Sequence, residues 1–299
     1  MTNQPQKSIA DWIAYFDQVE IPVLKRTEVG LVRLKRDEDN LNGRDLADVV
    51  MHDPLMTLKV LHYLDSHRSK RQSMDITTIS GALMKVETTP FFRHFARLQV
   101  VETTLKNHPL AIEGLMRSMS RARHAAMFAQ DWSQLRHDIA SDEVVIAALL
   151  RDLAEMLMWC FAPEPMLKIR ALMQANRKLR SVDVQKHVLG FVGLDLQLAL
   201  CEHWHLPKLL LDMMDDAHAD HPRTRIVACA TRLARHLGNG WDDAALPDDH
   251  KNIAELLHMD EEEVHERIVR TVLIAARGWT WYGVPPVAAG LPLLPVIHS

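Results

Sequence analysis

Two groups of residues in this sequence have side chains that could do chemistry. The first is Arg151-Asp152, a charged pair set inside the apolar stretch VVIAALLRDLAEMLMWC. A carboxylate in such a place can hold a cation and a guanidinium can hold an anion, so the pair needs a physical explanation. The bland one is pairing of Arg151 with Glu155, four residues on, along the one wet edge of a buried helix, and the spacing favours it over an anion-binding role for Arg151. The second group is Cys201, His203, His205, His218 and His221, residue types that ligate zinc. Cys201, His203 and His205 step by two along helical text and fall on different faces, which argues against a zinc site. His124, in RARHAAMFA, lies on an apolar face and reads as a hydrogen-bonded core histidine. The sequence has no glycine-rich phosphate loop, no Gly-x-Ser-x-Gly elbow and no His-Glu-x-x-His pair.

The element that must position Arg151-Asp152 is a helix from Ser141 to Cys160, apolar on nearly every face and therefore a core helix. Ser141 is placed to cap it, and Asp142 and Glu143 sit at the positive end of its dipole. Its longest unbroken apolar run, Val144 to Leu150, is far short of the roughly 20 residues that cross a bilayer. The rest of the chain reads as a succession of capped helices. Ser8 caps a first one carrying Ile9, Trp12, Ile13 and Phe16; Asp53-Pro54 starts another, with Leu55, Leu58, Leu61 and Leu64 on one face. Thr78 and Thr89-Pro90 are further start signals, Pro109 opens a long amphipathic run, and Pro165 to Leu179 reads as a surface helix. Ser181 caps the next run, Pro222 to Leu237 ends at Gly238, and Asp260 begins the last long helix. No stretch alternates with period two for long enough to make a sheet, so the fold class is all-α.

Composition narrows the function classes. A chain that is 47% hydrophobic and 25% charged is ordinary globular material. With 35 basic against 39 acidic residues, a formal charge of -4, it has no overall field to attract nucleic acid or an anionic surface. The small basic patches Arg33, Lys35, Arg36 and Arg68, Lys70, Arg71 read as solvated faces, with few aromatics nearby for base stacking. Three cysteines, Cys160, Cys201 and Cys229, none in a Cys-x-x-Cys spacing, point away from disulfides and zinc fingers and toward a reducing cytoplasm. The polar start MTNQPQKSIADW lacks the layout of a secretory signal.

The segment IPVLKRTEVGLVRLKRDEDNLNGRDLADVVMHDPLMTLKVLHYLDSH, the following ITTISGALMKV, and WHLP within LALCEHWHLPKLL resemble the HDOD family of bacterial signalling domains. The resemblance runs from Ile21 to Asp220, and Asp53-Pro54, Ile76 to Ala82 and Trp204-x-Leu206-Pro207 carry it most specifically. It implies an all-helical, non-catalytic relative of HD-type metal-dependent phosphohydrolases with a signalling or regulatory role. In an active HD enzyme, a helix like 141–160 carries a His-Asp doublet that binds a divalent ion, an earlier helix supplies a histidine and a later one an aspartate. Here the doublet position reads Arg151-Asp152, and a guanidinium has no lone pair to give a cation. His124 falls at the first histidine, Gly193 where related enzymes often have another, and Thr231 at the closing aspartate; His218 follows Ala217 rather than a second histidine. One histidine and one carboxylate make too thin a shell for a catalytic ion.

The expectation is therefore an HDOD-like domain of two helical lobes over residues 21–220, parted at Lys106 to Pro109. An N-terminal helix (1–20) precedes it; a C-terminal helical extension (221–282) and a proline-rich apolar tail (283–299) follow. The tail is expected to lie extended in a groove of its own domain or of a second subunit, because free apolar chain invites association. Functionally the reading is a non-catalytic cytoplasmic regulator that binds a signalling protein, needs no cofactor or metal, does not span a membrane and leaves room for homo-oligomers. The vestigial pocket comprises His124, Arg151, Asp152, Gly193, His218 and Thr231. Two other readings stand beside it: a divergent metal-dependent phosphohydrolase acting on a nucleotide or cyclic dinucleotide, and a small-ligand sensor in which Arg151 meets a phosphate.

Overall fold

The computed structural model describes residues 8–38, 41–66, 83, 88–136, 139, 141–176, 178–218 and 220–292. After an N-terminal helix, α1 (Ile9–Phe16), the first lobe holds helices α2 (Lys25–Arg36), α3 (Gly43–Met51), α4 (Pro54–Ser66), α5 (Thr88–His94) and α6 (Val101–Thr104). The second begins with α7 (Pro109–Leu135), α8 (Ser141–Leu150), α9 (Leu153–Phe161) and α10 (Pro163–Ala175). It continues through α11 (Ser181–Leu189), α12 (Gly193–His203) and α13 (Lys208–Met214). The C-terminal extension adds α14 (Pro222–Leu237), α15 (Leu246–Leu257) and α16 (Glu261–Ala276). Among the described residues no strand forms; the one β feature is an isolated parallel bridge between Val23 and Val100. The fold is all-α. The Thr78 start signal, residues 76–82 and the 68–71 basic patch lie outside the described residues.

Helix starts follow the capping chemistry where a proline or a well-placed carboxylate fixes them. Ser8 and Asp260 each close a capping box, with Asp11 and Glu263 reaching back to the cap amide. Asp53 does more: one oxygen accepts from the amides of Leu55 and Met56 at the start of α4, and the other from the Leu24 amide and the Thr27 hydroxyl of α2. A single fully buried carboxylate thus joins two helices of the first lobe. Ser141 and Ser181 are instead the first helical residues of α8 and α11, and Arg180 precedes α11 with no side-chain cap. Thr89 lies inside α5 and gives its hydroxyl to Glu38.

The segment 141–160 is a core segment, with every residue from Glu143 to Leu150 buried, but it is not one helix. It breaks at Arg151-Asp152, and α9 starts afresh at Leu153. The hub of the second lobe is α7, which runs beside α8 and α14 and also touches α9, α10 and α16. Because α14 packs on both α7 and α8, the extension shares the core of the lobe before it. Past α16 the chain folds back: a short 3-10 turn, Val287–Gly290, packs on α16, and the Trp241 indole donates to the Val287 carbonyl at 2.9 Å. The start of the apolar tail is therefore held by its own chain as a turn rather than as an extended strand.

The close approach of α7 and α9 depends on Gly114. A Cβ there would stand 2.5–2.7 Å from three ring carbons of the buried Trp159 indole. In a solvated helix Gly→Ala stabilises by about 1 kcal/mol. Here the sign reverses: Gly114→Ala is expected to destabilise the protein by about 1–3 kcal/mol, the cost of overpacking a rigid ring. Denaturant unfolding of the variant against wild type measures it.

Candidate functional site

The break between α8 and α9 takes two backbone groups out of the helical ladder in the core. Both are satisfied by one side chain from α12. The Gln197 carboxamide accepts from the Ala154 amide at 2.7 Å and donates to the Leu150 carbonyl at 2.9 Å, and it is itself only 1% exposed. Its nitrogen also lies 3.2 Å from the Cys201 sulfur and 3.7 Å from that of Met214. A buried amide left without such a partner costs free energy comparable to a lost hydrogen bond, so Gln197 sets where the helix can open.

The opening turns Arg151 and Asp152 out of the helical register that would align Arg151 with Glu155. The expected Arg151–Glu155 pair is absent. Arg151 instead reaches across to the end of α13, donating from Nη1 to the Met214 carbonyl at 2.6 Å and from Nη2 to Asp216 Oδ1 at 2.5 Å. Its side chain is 9% exposed, so it is not a wet edge either. Asp152 accepts from Arg235 of α14 at 3.4 Å.

Glu155 points to the other side. Its Oε1 accepts from the Ser118 hydroxyl at 2.5 Å, Arg121 at 2.7 Å and the Trp159 indole at 3.3 Å. Burial would raise the Glu155 pKa, but the charge of Arg121, the Ser118 and Arg121 hydrogen bonds and the charge of Arg235 outweigh it and bring it down to about 2. Burial likewise acts to lower the Arg121 pKa, and the carboxylates of Glu155 and Asp152 more than reverse it. The centre is thus a ladder of paired charges: Arg121 with Glu155, Asp152 with Arg235, Arg151 with Asp216.

The other residues singled out in the sequence are scattered around this ladder. Gly193 gives its amide to Gln185 at 2.8 Å at the start of α12, one turn before Gln197. Thr231 turns its hydroxyl back on the Val227 carbonyl within α14, one turn before Arg235. His218 sits 3.5 Å from Asp215, in the short 3-10 turn whose Asp216 meets Arg151. His124 is buried on α7 with Nδ1 on the Ser120 carbonyl at 2.7 Å, and it lines a different cavity. No hydrogen bond or ion pair joins it to Asp152 among the described residues. Cys201, His203 and His221 part company as well: Cys201 is buried beside Gln197, His203 pairs with Asp17 of α1, and His221 caps α14.

Gln197 and Arg121 were missed in the sequence because each contact spans more than 30 residues of chain. The available signal was a glutamine on the same face as Leu196, Leu200 and Cys201, an amide where the pattern asks for an apolar side chain.

The HDOD domain family model matches residues 21–220. No curated protein matches the sequence. Among solved structures, the MmoQ response regulator of Methylococcus capsulatus str. Bath is similar over 84% of this chain and 98% of its own, at 18% identity and a TM-score of 0.62. A virulence factor from Campylobacter jejuni is similar over 90% of this chain and 98% of its own, also at 18% identity, with a TM-score of 0.60. At such identities the likeness speaks to the fold.

Two outcomes follow from the geometry. Gln197→Ala orphans the Ala154 amide and the Leu150 carbonyl together and is expected to destabilise the protein by about 2–4 kcal/mol in denaturant unfolding. Glu155 has a depressed pKa when folded, so its contribution to stability is complete above the ordinary glutamate value of 4.5 and is lost as pH falls from there toward about 2. Wild type should lose stability through that window, and Glu155→Gln should flatten the slope; equal slopes in the two proteins would sink the assignment.

Proposed function

The chain belongs to the HDOD domain family, and from that premise we propose that it is a non-catalytic regulatory module that works by binding another protein. The observation that carries the reading is what Arg151 does. At the position where an HD enzyme presents an imidazole, a guanidinium is locked between the Met214 carbonyl and Asp216. The carboxylate next to it, Asp152, faces Arg235 rather than an open ion position. Both carboxylates at the position, Asp152 and Asp216, are already paired with guanidinia, so a divalent ion would have to displace Arg235 or Arg151 to gain a ligand. We read Arg151, Asp152, Gly193, His218 and Thr231 as the remains of an HD site turned to packing, with His124 separated from them. Arg151 is also committed to its own chain, which removes it as a phosphate ligand.

A regulatory role agrees with the role named for one structural neighbour, MmoQ, a response regulator. Among the described residues no helix is long and apolar enough to cross a membrane. The three cysteines are free and buried, which suits the reducing cytoplasm we assign to it.

The test has two arms, both on the full chain. Bound manganese, iron and zinc and phosphodiesterase turnover are measured in wild type, with Asp152→Ala as control; neither stoichiometric metal nor turnover is expected. In parallel, tagged protein is recovered from native cytoplasm after cross-linking, and a recurrent near-stoichiometric protein partner is expected. Metal and turnover that both vanish in Asp152→Ala would replace this reading with the hydrolase. No partner at all would overturn the binding role.

A further inference from the structure

A second place in the molecule has the makings of a ligand site, and of the residues read as remains of the HD centre it includes only His124. It is a cavity of about 380 Å³ where three parts of the chain meet: the end of α3, the middle of α7, and the segment after α16. That volume is within the range of small-molecule pockets. Arg123 of α7 and Arg277 after α16 line it, and neither guanidinium has a hydrogen bond or ion pair among the described residues. Elsewhere in this protein the partly buried arginines Arg121, Arg151, Arg223 and Arg267 are all paired, so Arg123, half-buried and free, stands out; Arg277 reaches the cavity from the exposed side. Asp48, its side chain 73% exposed, is the one acid of the lining.

The polar remainder of the wall includes two imidazoles of the same design. His124 is 4% exposed and His52 has a side chain 13% exposed. Each holds a backbone carbonyl one turn back with Nδ1, His124 that of Ser120 and His52 that of Asp48, both at 2.7 Å. That bond fixes the proton on Nδ1 and leaves Nε2 as an acceptor. The His124 Nε2 is buried with no partner, which in a native protein calls for an explanation. Burial first, and the Arg123 charge with it, hold both imidazoles below their ordinary pKa and hence neutral. The apolar wall is flat: the Trp281 indole stacks on His52 with centroids 4.5 Å apart and planes at 14°, and the Tyr282 hydroxyl anchors this segment by donating to the His52 carbonyl at 2.8 Å.

We propose that this cavity binds a small planar organic anion, its carboxylate or phosphate held by Arg123 and Arg277 and its ring against Trp281. Nucleoside monophosphates and aromatic hydroxy acids both have this chemistry. Because the walls come from the first lobe, the second lobe and the C-terminal extension, an occupant would tie the three together and make their packing depend on ligand.

The experiment is calorimetric titration of the full chain, with tryptophan fluorescence in parallel. The probes are AMP, GMP, 4-hydroxybenzoate and inorganic phosphate, each to about 1 mM, a range that covers ligands bound by roughly 4 kcal/mol or more. Saturable binding of a nucleotide or of the hydroxy acid is expected, the arm that responds identifying the source, with inorganic phosphate at least about tenfold weaker. Arg123→Gln and the exposed Arg277→Gln should each weaken binding about tenfold, while Arg33→Gln on α2 should leave it unchanged. If Arg123→Gln fails to fold, Arg277→Gln alone decides. Absence of saturable binding by every ring-bearing probe, binding of phosphate as tight as theirs, or unchanged binding in Arg277→Gln would overturn the proposal.

Discussion

One carboxamide governs the middle of this protein. Gln197 stands in for the helical hydrogen bonds that lapse between Leu150 and Ala154, giving a donor to one orphaned group and an acceptor to the other. In a core this apolar the alternatives are a continuous helix or two unsatisfied backbone groups, and the second is the more expensive by several kcal/mol. Once the opening is fixed, much of the surrounding geometry is fixed too. The position of α12 against α9 is set by the reach of Gln197, and Arg151 and Asp152 leave the helix in directions that meet α13 and α14.

Charge is the second constraint, and it is met by pairing. Six ionised groups, Arg121, Arg151, Arg235, Asp152, Glu155 and Asp216, lie around the break, three of each sign and each with an opposite partner. Breaking the most enclosed of these pairs, Arg121 with Glu155, would leave a buried charge without compensation. A catalytic centre needs unsatisfied ligands aimed at one point. This centre has spent its polar groups on one another.

How far the sequence could be read depended on the range of the interaction. Local chemistry was legible: Ser8 and Asp260 close their capping boxes, Pro54, Pro109 and Pro222 open their helices, and Leu55, Leu58 and Leu61 of α4 are buried as the periodicity requires, with Leu64 partly so. The break at Arg151 was not, because the apolar pattern runs on through it and the residue that causes it lies 43 positions away from Ala154. The i, i+4 rule paired Arg151 with Glu155 on the assumption of a continuous helix and failed with it. For His124 the core reading gave the burial and the carbonyl bond but not the idle Nε2. That atom becomes visible only when α3 and the segment after α16 are brought beside α7.

The central claim is that the doublet position has become a structural fastening that one restored ligand cannot reopen. The direct measurement is the metal content and unfolding free energy of Arg151→His purified with manganese, iron and zinc present. An imidazole cannot span both the Met214 carbonyl and Asp216, so the variant should lose about 1–3 kcal/mol of stability and retain no stoichiometric metal. One tightly held equivalent of any of these ions, with stability kept or raised, would contradict the claim and show the site to be dormant rather than closed.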